Sequence, residues 1–128
     1  MTYFPKRKTK RELIEATTRK HGELARASMP QNNTLDFEDL DGNRIIRLHS
    51  TDILTFPKRG GWKIDTRGYN TKTTKERLNE YLPRGFYVFQ RNYGFYIHER
   101  GTGRELPFSA VVTCGARGKL TTDCEESK

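Results

Sequence analysis

Phe86-Tyr87-Val88-Phe89-Gln90-Arg91 and Phe95-Tyr96-Ile97-His98-Glu99-Arg100, joined by Asn92-Tyr93-Gly94, form the stretch on which the fold depends. Both runs are rich in aromatic and β-branched residues, and Gly94 supplies the left-handed conformation that a three-residue hairpin loop requires. The stretch predicts a β-hairpin. Setting Arg91 opposite Phe95 places Phe89 across from Ile97 and Tyr87 across from Glu99 on one face. Val88 then lies across from His98, and Gln90 across from Tyr96, on the other. The first face is the expected core. Six of the chain's 14 aromatics fall between Phe86 and Tyr96, with Arg84, Arg91 and Arg100 around them. Such rings serve one of two ends: they bury area in an apolar-poor chain, or they stack unpaired bases beside arginines.

Upstream, Thr73-x-x-Glu76 has the spacing of a capping box and predicts a short helix whose face is Leu78, Tyr81 and Leu82, ended by Pro83. Before it, Arg44 to His49, Asp52 to Phe56 and Trp62 to Asp65 read as a three-stranded meander, with Trp62 and Ile64 on its apolar side. Arg104 to Phe108 reads as a last strand. Thr9 to Ala27 holds good helix formers interrupted by Gly22. Met29 to Asn43 has four acidic and no basic side chains and neither period, as a linker would. The expected organisation is a basic helical arm over 1–28, an acidic linker over 29–43, a core domain over 44–108 and a flexible tail over 109–128. The fold class is α+β: a small antiparallel sheet (three-stranded meander, short helix, β-hairpin) with an N-terminal helical arm.

Gly60-Gly61-Trp62, then Thr71 to Asn79, then Val88-Phe89-Gln90-Arg91-Asn92 and the second aromatic strand, resemble small uncharacterised proteins of tailed bacteriophages. The likeness runs from Arg44 to Phe108. It implies a phage origin and a shared small fold, and it carries no catalytic residues with it.

The chain has 128 residues, a hydrophobic fraction of 33% and a formal net charge of +8. That length allows one domain, and the core is small enough that an oligomer or a partner can add stability. No apolar run reaches the roughly 18 residues of a membrane helix. The basic start, MTYFPKRKTKRE, lacks the apolar stretch of a secretion signal, so the expected location is the cytoplasm of the phage's host. Cys114 and Cys124 fit no metal spacing and can be either reduced or joined.

Three function classes compete. His21, His49 and His98 are too far apart for a helical metal pair, and Gly101-x-Gly103 is too brief for a phosphate loop, so no cofactor is expected. A cluster of Asp52, Asp65 and Glu99 with His49 or His98 can in principle hold Mg²⁺ for hydrolysis, but no nuclease motif orders them. Metal-dependent hydrolase therefore ranks third, behind two non-enzymatic readings. The first is a nucleic-acid binder with little sequence preference. Its contacts are Lys6, Arg7, Lys8, Lys10, Arg11, Lys58, Arg59, Arg67, Lys72, Lys75, Arg77 and Arg91. Charge of this kind also keeps a protein soluble. The second is an inhibitor of a host or defence protein, docking by a basic face or by Asp36-Phe37-Glu38-Asp39-Leu40-Asp41. Arg91-Asn92-Tyr93-Gly94-Phe95 echoes an RNA-recognition signature, but Asn92 replaces its glycine and the βαββαβ order is missing. Lys72 and Lys75 sit where a helix dipole is positive, a conflict that a bound anion would relieve.

Overall fold

The computed structural model describes residues 9–124. Thr9 starts the first helix: its hydroxyl accepts from the Glu12 amide at 3.2 Å while the Glu12 carboxylate reaches back to the Thr9 amide. This capping box opens α1 (Lys10–His21), and Gly22, at φ +78°, closes it. There follow β1 (Leu24–Gln31), β2 (Thr34–Asp39), β3 (Arg44–Leu48), β4 (Thr51–Phe56), β5 (Trp62–Asp65), α2 (Lys72–Tyr81), β6 (Phe86–Arg91), β7 (Gly94–Glu99), β8 (Arg104–Phe108), β9 (Val111–Cys114) and β10 (Leu120–Thr122).

The α+β class holds, but the strands form two antiparallel sheets instead of one. The first has seven strands in the order β1-β2-β3-β4-β5-β9-β10, and the second is β6-β7-β8. The expected meander is present as β3-β4-β5. Residues 29–43 are not a linker. They finish β1 and make β2, which pairs with both neighbours. Leu35 and Phe37 alternate with Asp36 and Glu38, a period of two masked by acidic residues on the second face. Asp36 is buried because Arg26 and Arg44 meet it at 2.9 and 2.7 Å.

Of the expected arm, residues 1–8 lie outside the described residues, and residues 9–28 pack onto the sheet. Ile14 of α1, with Leu24, Ala27 and Met29 of β1, packs against Leu35, Phe37 and Ile45. The last turn of α1 is tied down at Asp52, which receives Lys20 and His21 at 2.9 Å and Arg47 at 2.9 Å. Residues 109–122 are not a loose tail: β9 pairs with β5, β10 pairs with β9, and Val112, Cys114 and Leu120 are core. Cys114 is buried and Cys124 exposed, and both are free thiols.

The other face of the large sheet packs on the inner face of the small one. Ile46, Leu54, Trp62, Ile64 and Val112 meet Val88, Phe95, Ile97 and Phe108, with Leu78 of α2 among them. Trp62 is core as expected, at 4% exposure, and stands edge-on to Phe86 at 4.9 Å. Gly61 makes this strand position possible. At φ +78° it passes so close to β9 that a Cβ would run into the Cys114 carbonyl. The helix begins earlier than expected: Thr71, not Thr73, is the cap, and its hydroxyl accepts from the Thr74 amide at 3.1 Å. The segment from α2 through β8 lies between β5 and β9 in sequence, and its two ends meet where the Thr66 amide donates to the Ala110 carbonyl at 2.9 Å.

Candidate functional site

The β6–β7 register decides which rings face solvent. Arg91 pairs with Gly94, so the loop has two residues, Asn92 and Tyr93, at φ +49° and +68°. The expected pairing of Arg91 with Phe95 is therefore off by one residue, and a one-residue slip turns side chains to the opposite face. Phe86, Val88, Phe95 and Ile97 point inward, whereas Tyr87, Phe89, Arg91, Tyr96 and His98 point outward.

The outward residues form an ordered row. Tyr87 stacks on His98 with ring centres 4.7 Å apart, and Phe89 stacks on Tyr96 at 5.3 Å and 15°. Tyr87 and Phe89 touch at 5.9 Å, which joins the two pairs. Opposite Gly94 no side chain competes for space, and the Arg91 guanidinium lies over Phe89 at 5.1 Å and Tyr96 at 5.5 Å. From β8, Glu105 completes the face: one carboxylate oxygen is 3.3 Å from Arg91 Nη2 and the other 3.4 Å from His98 Nδ1. The alignment at His98 is not that of a hydrogen bond, and the buried Nδ1 has no hydrogen-bond partner among the described residues.

The other sequence-selected cations are spread over several elements. Lys6, Arg7 and Lys8 lie outside the described residues. Lys10 and the Arg11–Glu15 pair are exposed at the start of α1, and Lys58 and Arg59 are exposed in the β4–β5 turn. Arg77 belongs to the fold: its guanidinium is held by Thr34 at 2.9 Å and Glu80 at 3.0 Å, and its side chain is 14% exposed. Arg67 joins Lys20 and Lys63 around a cleft of about 250 Å³ that also contains Asp52 and Asp65. Those cations sit among two of the carboxylates that would have to hold Mg²⁺, and no group of three metal-binding side chains converges among the described residues.

Lys72 and Lys75 occupy an α2 start with no acidic residue in its first turn. Asn70 Nδ2 donates to the Ser109 carbonyl at 2.6 Å, and Phe108 pairs with Phe95. The helix start and the hairpin's turn end are thus at one end of the small sheet. Beside that start, His49, Ser50, Thr51, Thr66, Tyr69 and Thr73 border a second cleft of about 470 Å³.

The acidic stretch offers less surface than its composition suggests. Phe37 is fully buried, and Asp39 caps the turn by accepting from the Asp41 and Asn43 amides. Leu40, at 67% exposure, is the large apolar side chain this segment leaves outside.

A shared core between two antiparallel sheets, with stacked rings and an arginine on the outside of the smaller, defines the class as a two-sheet α+β protein. Within that class, the chain belongs to the family described as Kyanoviridae Gp96 protein, a phage family whose model matches residues 6–115. No curated protein matches the chain, and no solved structure does. No helix among the described residues is long and apolar enough to cross a membrane.

Proposed function

We propose that this phage accessory protein is a non-enzymatic binder of single-stranded nucleic acid, with little sequence preference. One observation carries the reading: four stacked rings and Arg91 stand on the outer face of a sheet whose inner face already supplies the core. These rings complete no core, and the surface that their stacking partners and Arg91 leave uncovered, largest at Tyr87, can meet a base, because every base has a π-face whatever its identity. Arg91 adds a cation to the same face. Lys72 and Lys75 begin the helix at the same end of the small sheet, and in this reading they meet the phosphates of a strand leaving the row. A duplex keeps its bases in the helical stack and cannot use the rings in this way.

The test is fluorescence anisotropy at low salt with labelled single-stranded DNA, single-stranded RNA and duplex. Single strands are expected to bind more tightly than duplex, and Phe89→Ala with Tyr96→Ala to weaken single-strand binding about tenfold or more. If neither single strand binds, the reading falls. A stoichiometric host protein that survives nuclease treatment in a pull-down would then favour the inhibitor, for which an exposed Tyr and Arg face is also suitable.

A further inference from the structure

The turn that ends the aromatic row has an unfavourable residue at its centre. A two-residue turn with both central φ values positive accepts Asn at the first position and is best served by Gly at the second. Here the second is Tyr93, at φ +68° and fully exposed. A side chain in that region meets its own backbone, which is why glycine is favoured there. The ring returns nothing to the fold, since it is exposed to solvent over its whole surface. Gly94 follows immediately, yet it lies in β7 and not in the turn. Strain kept at an exposed aromatic, at the end of a row already formed by Tyr87, His98, Phe89, Tyr96 and Arg91, marks a residue held for contact.

We infer that Tyr93 is a base-stacking residue that extends the aromatic row onto the hairpin tip and receives one unpaired nucleobase beyond it. This rests on the single-strand reading above and commits to that occupant. The argument for it is charge complementarity: the chain carries a net +8, and Arg91, which shares its charge with Glu105 at 3.3 Å, stands between the row and the tip. The shared chemistry is the π-face of an unpaired base, in DNA or in RNA.

Tyr93→Gly separates contact from folding because the two effects have opposite signs. Thermal unfolding of the full chain is expected to shift upward in Tyr93→Gly, as strain leaves the turn. Affinity for a labelled DNA of about 16 nucleotides, or an RNA of the same sequence, is expected to fall about fivefold or more. Tyr93→Phe keeps the ring and is expected to bind like the parent. A Tyr93→Gly protein that binds both oligonucleotides as the parent does, while Phe89→Ala with Tyr96→Ala is impaired, overturns the tip assignment and leaves the row standing. A parent chain that binds neither oligonucleotide overturns the reading beneath it. A downward shift in unfolding temperature overturns the strain argument.

Discussion

Asn79 takes the place of a neighbouring strand for Val88. Its side-chain carbonyl accepts from the Val88 amide at 2.7 Å, and its side-chain amide donates to the Val88 carbonyl at 2.9 Å. One residue of α2 thus satisfies both backbone groups of Val88 on the outer edge of β6, where unpaired strand groups invite pairing with other chains. Asn79→Ala is expected to cost about 1–3 kcal/mol, because both groups lose their partner in a part-buried place. Urea denaturation checks this, and an unchanged midpoint would mean that water replaces the amide without loss.

Trp62 and Gly61 hold the junction between the sheets from adjacent positions. Trp62→Ala removes a buried ring from the shared core and is expected to cost about 3–5 kcal/mol. Gly61→Ala is expected to destabilise as well, for a backbone reason, since the new Cβ strikes the β9 backbone. Equal unfolding midpoints for Gly61→Ala and the parent would show that β9 can shift away from β5.

Acid should loosen the protein through Asp36 and Asp52. Burial pushes both carboxyls up, but Arg44 and Arg26 at Asp36, and Lys20, Arg47 and His21 at Asp52, outweigh it and leave both below the ordinary value of 3.8. The unfolded chain therefore takes up these protons at higher pH than the folded one does. The stability they contribute is in full force above 3.8 and is lost as pH falls through the lowered folded values. Denaturation midpoints between pH 2 and pH 6 should fall toward acid in the parent, with a shallower slope in Asp36→Asn. Parallel curves would remove Asp36 from the account.

Charge near the aromatic row should act in both directions on binding. Lys72→Ala with Lys75→Ala is expected to leave the fold intact and to flatten the log-affinity against log-salt slope by about 0.7–0.9 for each phosphate that the variant no longer neutralises. Glu105→Gln removes the carboxylate beside Arg91 and is expected to raise single-strand affinity up to about fivefold. Anisotropy titrations over a salt series measure both. A double lysine variant with unchanged slope would restrict the binding surface to the sheet.

The hairpin is legible in the sequence because its aromatic and β-branched runs leave little alternative. Its register is not, because choosing between two- and three-residue loops requires knowing that Tyr93 takes a positive φ. The hairpin's rings are visible as one of two uses for aromatics; Tyr96 already lies on the outer face in the expected pairing, and the observed register sends Tyr87 and Phe89 out beside it. β2 is hidden because Asp36 and Glu38 read as linker until Arg26, Arg44 and a paired neighbour are in view. β9 and β10 are short and wait on a distant partner, which no local pattern reveals. Consequently a truncation lacking residues 1–40, harmless if 29–43 were a linker, takes away β1 and β2 and bares the β3 edge and Ile45. It is expected to lose cooperative unfolding in circular dichroism, and a cooperative melt would show that those strands are dispensable.

The meeting of Thr66 and Ala110 shapes how the chain reaches this state. β5 gains its second neighbour only after everything between those residues has been made and drawn back to one point. Closing so long a loop costs about 3 kcal/mol of chain entropy before β9 can pair. During synthesis the first five strands emerge with the Trp62–Asp65 edge open, and they stay so while α2 and the small sheet leave the ribosome. Late pairing of distant strands makes for slow folding, so the vulnerable species is a nascent one with an unfilled place in its sheet.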